Sequence, residues 1–214
     1  MTAHKDHAVA TPRAELDDGF LFVGHALALD LVNTEVVVRG RRGDLLASPS
    51  EVIGWWQAAQ RHHPNLPLVA VVGDLASDEV VTHTALIGLR QALRRLFSQI
   101  ADLQQPDAAD LAVVNAALQP GVMAAQSNRE GRIQQAYQVA ASPLHPLVFT
   151  VALAALELLT TSHVQRLHRC ENERCVLLFY DTTKSATRRW CSLACMDRAR
   201  SIRRYQQAKH GMQE

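Results

Sequence analysis

Four cysteines, Cys170, Cys175, Cys191 and Cys195, are the chain's full complement, spaced C-x4-C, then fifteen residues, then C-x3-C. Two close pairs separated by a loop of that size assemble a tetrahedral thiolate site for zinc. Two reduced or redox-active pairs are the alternative. A disulfide framework needs an oxidising compartment. The residues from Met1 to His7 contain no apolar run of the kind an export signal requires, and no stretch reaches the length of an apolar membrane span. The expectation is therefore a cytoplasmic chain with one zinc ion, Zn(2+), held by the four thiolates. Four protein ligands leave no open coordination position, so the metal is structural. A segment of about 45 residues buries too little apolar surface to fold unaided, which gives the metal its physical role.

A second set of residues could bind polyanions. Between positions 182 and 210, Lys184, Arg188, Arg189, Arg198, Arg200, Arg203, Arg204 and Lys209 stand against a single acid, Asp197. Elsewhere 14 basic residues face 20 acidic ones, so the net charge of +1 conceals a mildly acidic body with a basic tail. That asymmetry suits a nucleic-acid-binding module, and a solvated basic helix is the plainer reading. Arg188 and Arg189 either grip phosphates or flank a strand. Trp190 is expected in the finger's core, with Tyr205 in the same role.

In the body, Asp30, Asn33 and Thr34 sit at helical spacing in an apolar stretch, and Trp55 adjoins Trp56. Glu157 lies in the most apolar segment, with Arg90 as its candidate partner. Such groups hold neighbouring backbone or line a ligand pocket. The expectation to be tested is a pocket near Asp30, Asn33, Thr34, Trp55, Arg90 and Glu157. The ten histidines are scattered, so no second metal is expected. No Ser-His-Asp or H-E-x-x-H spacing occurs, and the chain is read as a non-enzyme.

These residues need elements to position them. Ser48, Pro49 and Glu51 form a capping box that opens a helix ending before Pro64. Ser77-Asp78-Glu79 opens a longer helix with an apolar stripe at Val81, Ala85, Leu89, Leu93, Leu96 and Ile100. Pro106 and Asp107 begin a third helix, through Leu118, and an apolar fourth is expected from about Leu144 to His168. Between Gly121 and Ala140 the pattern predicts two short strands joined by a turn at Asn128–Gly131. In the tail, residues 176–180 and 188–190 are expected to pair as a hairpin that brings the second cysteine pair beside the first. Ser192 then caps a helix running to about His210. The fold expected is mainly α. A helical N-terminal domain with a short β-hairpin spans 19–168, after a mobile tail over 1–18, and a treble-clef-like zinc finger spans 169–214.

The run Cys170-Glu-Asn-Glu-Arg-Cys175, followed by Leu178–Thr183 and then Arg188-Arg189-Trp190-Cys191-Ser192, resembles the CGNR-type zinc finger of bacterial transcriptional regulators. In that family the last ligand begins the tetrapeptide that gives the name. Here the tetrapeptide is Cys195-Met196-Asp197-Arg198, which keeps the cysteine and arginine but not the glycine and asparagine. The segment Leu29–Thr34, with Trp55 and Leu89-Arg90, is similar to the ABATE domain that accompanies this finger in a family of stress-induced transcriptional regulators. The resemblance implies duplex DNA as a partner and a small-molecule effector for the body, and leaves homodimerisation open. The competing reading is a zinc-stabilised protein-interaction module with no nucleic-acid role.

Overall fold

The computed structural model describes residues 15–23, 25–38, 40–67, 69–72, 78–128, 130–140, 144–161 and 163–211. Helices predominate, and strands are more numerous than expected. Of the expected mobile tail, residues 1–14, with His4 and His7, lie outside the described residues. Residues 15–18 depart from that expectation: β1 (Glu15–Asp17) pairs antiparallel with β2 (Phe20–Phe22) across a turn in which Asp18 and Gly19 take positive φ. Arg61 binds this hairpin through Asp17 and Asp18.

The helix α1 (Leu27–Val32) is short, and all six of its residues are buried. A second hairpin follows, β3 (Glu35–Val38) with β4 (Arg41–Asp44). The capping box holds as expected: Ser48 and Glu51 start α2 (Pro49–His62), which ends before Pro64. Asp78 caps α3 (Glu79–Ala101) by accepting from the Val80 and Val81 amides, and Asp107 caps α4 (Ala108–Leu118). Of the expected apolar stripe of α3, Leu89, Leu93 and Leu96 are buried, Ala85 and Ile100 are partly buried, and Val81 is exposed. Leu89, Leu93, Leu96 and Phe97 meet Trp55 of α2 and the α1 leucines in one core. Each fully buried leucine there contributes about 1.5–3 kcal/mol.

Strands β6 (Gly121–Ser127) and β7 (Ile133–Ala140) form the expected hairpin, with Asn128 accepting from the Glu130 and Arg132 amides at its turn. A parallel strand, β5 (Val69–Val72), joins β7, a pairing between segments too distant in sequence to be read from either. The apolar helix is shorter than expected. α5 spans Leu147–Thr160, because Pro146 occupies its N-cap and Thr161 turns to extended backbone. Past it, residues 164–166 form a 3-10 turn that leads into β8 (Leu167–Arg169), so the expected boundary at 168/169 falls inside a strand.

β8 pairs antiparallel with β9 (Leu178–Tyr180), and α6 (Leu193–Gly211) closes the chain. The hairpin is therefore made with the strand before Cys170, not with residues 188–190. Its other edge is already occupied: Asn33 of the body donates from Nδ2 to the Leu178 carbonyl at 2.8 Å and accepts from the Leu178 amide at 3.0 Å. Leu167 and Leu178 sit in the same core as the body helices, so the cysteine-bearing segment is docked on the body.

Candidate metal centre and nucleic-acid interface

The first cysteine pair lies in the connection between β8 and β9. Asn172, almost fully buried, shapes this knuckle: its Oδ1 accepts from the Arg174 amide, its carbonyl from the Cys175 amide, and its Nδ2 donates to the Cys195 carbonyl. The second pair is fixed by the start of α6, where the Ser192 hydroxyl accepts from the Cys195 amide at 3.3 Å. Between the pairs, the buried Asp181 ties off the loop. One carboxylate oxygen accepts from the amide and hydroxyl of Thr183, the other from the Arg188 amide at 2.8 Å. Burial pushes the Asp181 carboxyl up, but these hydrogen bonds from Thr183 and Arg188 outweigh it and hold the group below its ordinary range.

These supports bring all four sulfurs within 4.8 Å of one another, with Cys191 3.5 Å from Cys195 and 3.8 Å from Cys175. A tetrahedral zinc with Zn–S bonds of about 2.3 Å requires S–S separations of about 3.8 Å, whereas a disulfide requires about 2.05 Å. The sulfurs thus fit one structural zinc ion, and the cysteines are free of disulfides. Without the ion, four thiols this close cannot all ionise. Hydrogen bonding, first from Cys175, draws Cys170 down to about 7. Hydrogen bonds led by Cys170 also hold Cys195 far below its ordinary range and push Cys191 far above it. A divalent cation removes that conflict by favouring every thiolate at once. Val23, Leu177, Phe179 and the partly buried Leu21, Val36 and Trp190 pack around the cysteines, so residues of the body complete the finger's small core. Tyr205, expected in that core, is 73 % exposed on α6.

The basic residues divide. Arg188 does not present its charge to solvent. It is half-buried over the Phe179 ring, and its guanidinium donates to the carbonyls of Trp190 and Cys191, bracing the zinc loop. Arg189 pairs with Glu171 and lies over Trp190. Lys184, Arg198, Arg200, Arg203 and Arg204 are exposed and form no ion pair among the described residues. The side chain of Lys209 lies outside the described residues.

The expected body pocket is dispersed, because its members hold structure. Asp30 accepts from the Val23 amide and meets His63 at 2.8 Å. Thr34 donates to the Leu31 carbonyl and accepts from Arg90, which grips Asp44 with two contacts of 2.6 Å. Arg90 is thus the partner of Asp44, not of Glu157, which is exposed on α5. Trp55 is fully buried, and Asn33 is the tie to the finger. Glu157 alone of the six lines a described cavity. That cavity, of about 440 Å³, is also bordered by His25, His63, Leu158 and Tyr180.

Sequence reading missed Asn172, Asp181 and Arg94. The last donates to the carbonyls of Val32 and Val176 and pairs with Glu35, linking α3, the end of α1 and the finger. The partners of Arg94 are all distant in sequence, whereas Asn172 and Asp181 each carried a local cue, a side-chain oxygen accepting from the amide two residues on.

No curated protein matches the chain. Residues 166–208 match the CGNR zinc finger, and residues 25–162 match ABATE, described as "Putative stress-induced transcription regulator". The chain therefore belongs to the ABATE family and carries a CGNR zinc finger behind its ABATE domain.

Proposed function

We propose that the protein is a DNA-binding transcriptional regulator whose zinc-fixed helix α6 engages the duplex. One observation carries this reading: Arg198, Arg200, Arg203 and Arg204 are exposed and form no ion pair among the described residues, on a helix whose first turn is tied to two zinc ligands. An α-helix of about 10–12 Å diameter matches the roughly 12 Å width of the major groove. Met196 and Asp197 stand where the family's glycine and asparagine would be, and Asp197 places one acid beside the arginines.

Replacing Arg203 and Arg204 together by alanine tests the reading. Binding to duplex DNA is expected to weaken for all sequences, and the slope of log affinity against log salt to fall by about 0.9 for each phosphate that is no longer neutralised. The melting temperature should stay constant, since both side chains are exposed. Unchanged affinity and slope would give the lead to the protein-interaction module, with exposed Leu193 and Tyr205 as its docking residues.

A sensing role for the body finds support in the cavity bordered by Glu157. It joins α5 and the end of α2 to Tyr180, the neighbour of the Asp181 clamp, so an occupant would touch the body and the finger together.

A further inference from the structure

The described arginines fall into two populations. Arg61, Arg90, Arg94, Arg95, Arg132, Arg169 and Arg189 all pair with carboxylates, and Arg166 and Arg188 donate to backbone carbonyls. The guanidinium groups of the remainder have no hydrogen-bond or ion-pair partner among the described residues. They are the α6 arginines, Arg174 of the zinc knuckle, and Arg41 and Arg42 of the β3–β4 hairpin. Unpaired arginine charge, among the described residues, is thus confined to the finger and to one hairpin of the body.

That hairpin stands against the finger. Val37, Val38, Gly40 and Arg42 form one wall of a cleft of about 890 Å³, and Glu173, Arg174, Val176 and Arg198 form the other. Three arginines face one acid across it. The base of the hairpin is held firmly: Asp44 on β4 receives Arg90, Glu35 on β3 receives Arg94, and Val36 packs against the cysteine cluster. Farther along it Val38, Gly40, Arg41 and Arg42 are exposed, with Gly40 at φ +79°. An arm pinned at its root and carrying Arg41 and Arg42 farther along, beside the helix proposed to enter the groove, has the placement of a second phosphate grip.

We infer that the β3–β4 hairpin acts as a wing on the DNA: Arg42, with Arg174 and Arg198, clasps the phosphate backbone flanking the groove occupied by α6. The inference rests on the DNA-binding reading of α6 and adds the body to the interface. It also makes a distinction that charge alone does not. Arg42 borders the cleft, and its neighbour Arg41 does not.

The test is titration of the zinc-loaded full chain with a fluorescein-labelled duplex of random sequence over a range of salt concentrations. The variants are Arg42→Ala with Arg174→Ala, Arg42→Ala alone, Arg41→Ala, Arg203→Ala with Arg204→Ala, and Arg42→Lys with Arg174→Lys. The Arg42/Arg174 alanine pair is expected to bind several-fold more weakly, with a salt slope lower by about 1.8. Arg41→Ala is expected to leave the slope unchanged, and the lysine pair to retain it, with melting temperatures equal throughout. If the Arg203/Arg204 pair lowers the slope and the Arg42/Arg174 pair does not, the wing is overturned and the α6 reading stands. An Arg41→Ala effect equal to that of Arg42→Ala alone would also overturn it, since diffuse charge would then suffice. Salt-independent or absent duplex binding by the parent protein would remove both readings.

Discussion

Asn33 is the residue on which the two parts of the molecule meet. Its amide does for β9 what a neighbouring strand would do, offering a donor and an acceptor to the same residue, Leu178, 145 positions away. Replacing it by alanine leaves both backbone groups buried without partners, at about 1–3 kcal/mol each. The Asn33→Ala variant is therefore expected to be less stable by about 2–6 kcal/mol in urea unfolding. Its zinc should also pass to a chelator faster than in the parent protein, because β9 frames the knuckle. Unaltered stability would mean that water replaces the amide. The cysteines were legible in the sequence because a metal site states its ligands by type and spacing. Asn33 was not, since a polar residue in an apolar helix looks the same whether it holds backbone or a ligand. Arg188 shows the converse limit: its basic neighbourhood suggested phosphates, whereas its geometry is that of a brace for the Trp190 and Cys191 carbonyls.

Among the elements, those with local start and stop signals followed the sequence closely. The capping box of α2, the aspartate caps of α3 and α4 and the Asn128 turn are all settled within a few residues. Elements whose limits depend on distant partners did not. β5 exists through its parallel pairing with β7, and β9 pairs backward with β8 because Asn33 holds its forward edge. The cavity between α2, α5 and β9 is also a product of assembly, and it makes a prediction at this scale. Ala154 lines it, so Ala154→Trp would fill it. Any compound that binds there stabilises the parent protein by mass action, at about 2–4 °C of melting temperature per kcal/mol for a chain of this size. The tryptophan variant is expected to show no such shift with the same compound. Equal shifts in both proteins would place the compound elsewhere.

For the molecule as a whole, the cysteine count suggested a small finger set apart from a helical domain. The packing indicates otherwise. Leu21, Val23 and Val36 of the body sit among the cysteines, while Leu167 and Leu178 sit in the body's core. Purified protein is expected to contain one zinc per chain, and Cys195→Ser to release it. Structural zinc contributes about 10–16 kcal/mol of apparent binding free energy in small fingers. Chelation is accordingly expected to lower the melting temperature of the entire chain, with calorimetry showing one cooperative transition. Two well-separated transitions, with the helical one unmoved, would restore the picture of independent parts.

The shared edge at Leu178 also bears on how such a finger travels between proteins. Grafted alone onto a foreign scaffold, residues 164–211 would bring along every zinc ligand but leave one side of β9 bare. An uncovered strand edge recruits whatever backbone it meets, including another copy of itself. A chimera that retains function would need to import a surrogate for Asn33 along with the cysteines. The structural unit that closes β9 is larger than the metal-binding segment, and it includes the end of α1.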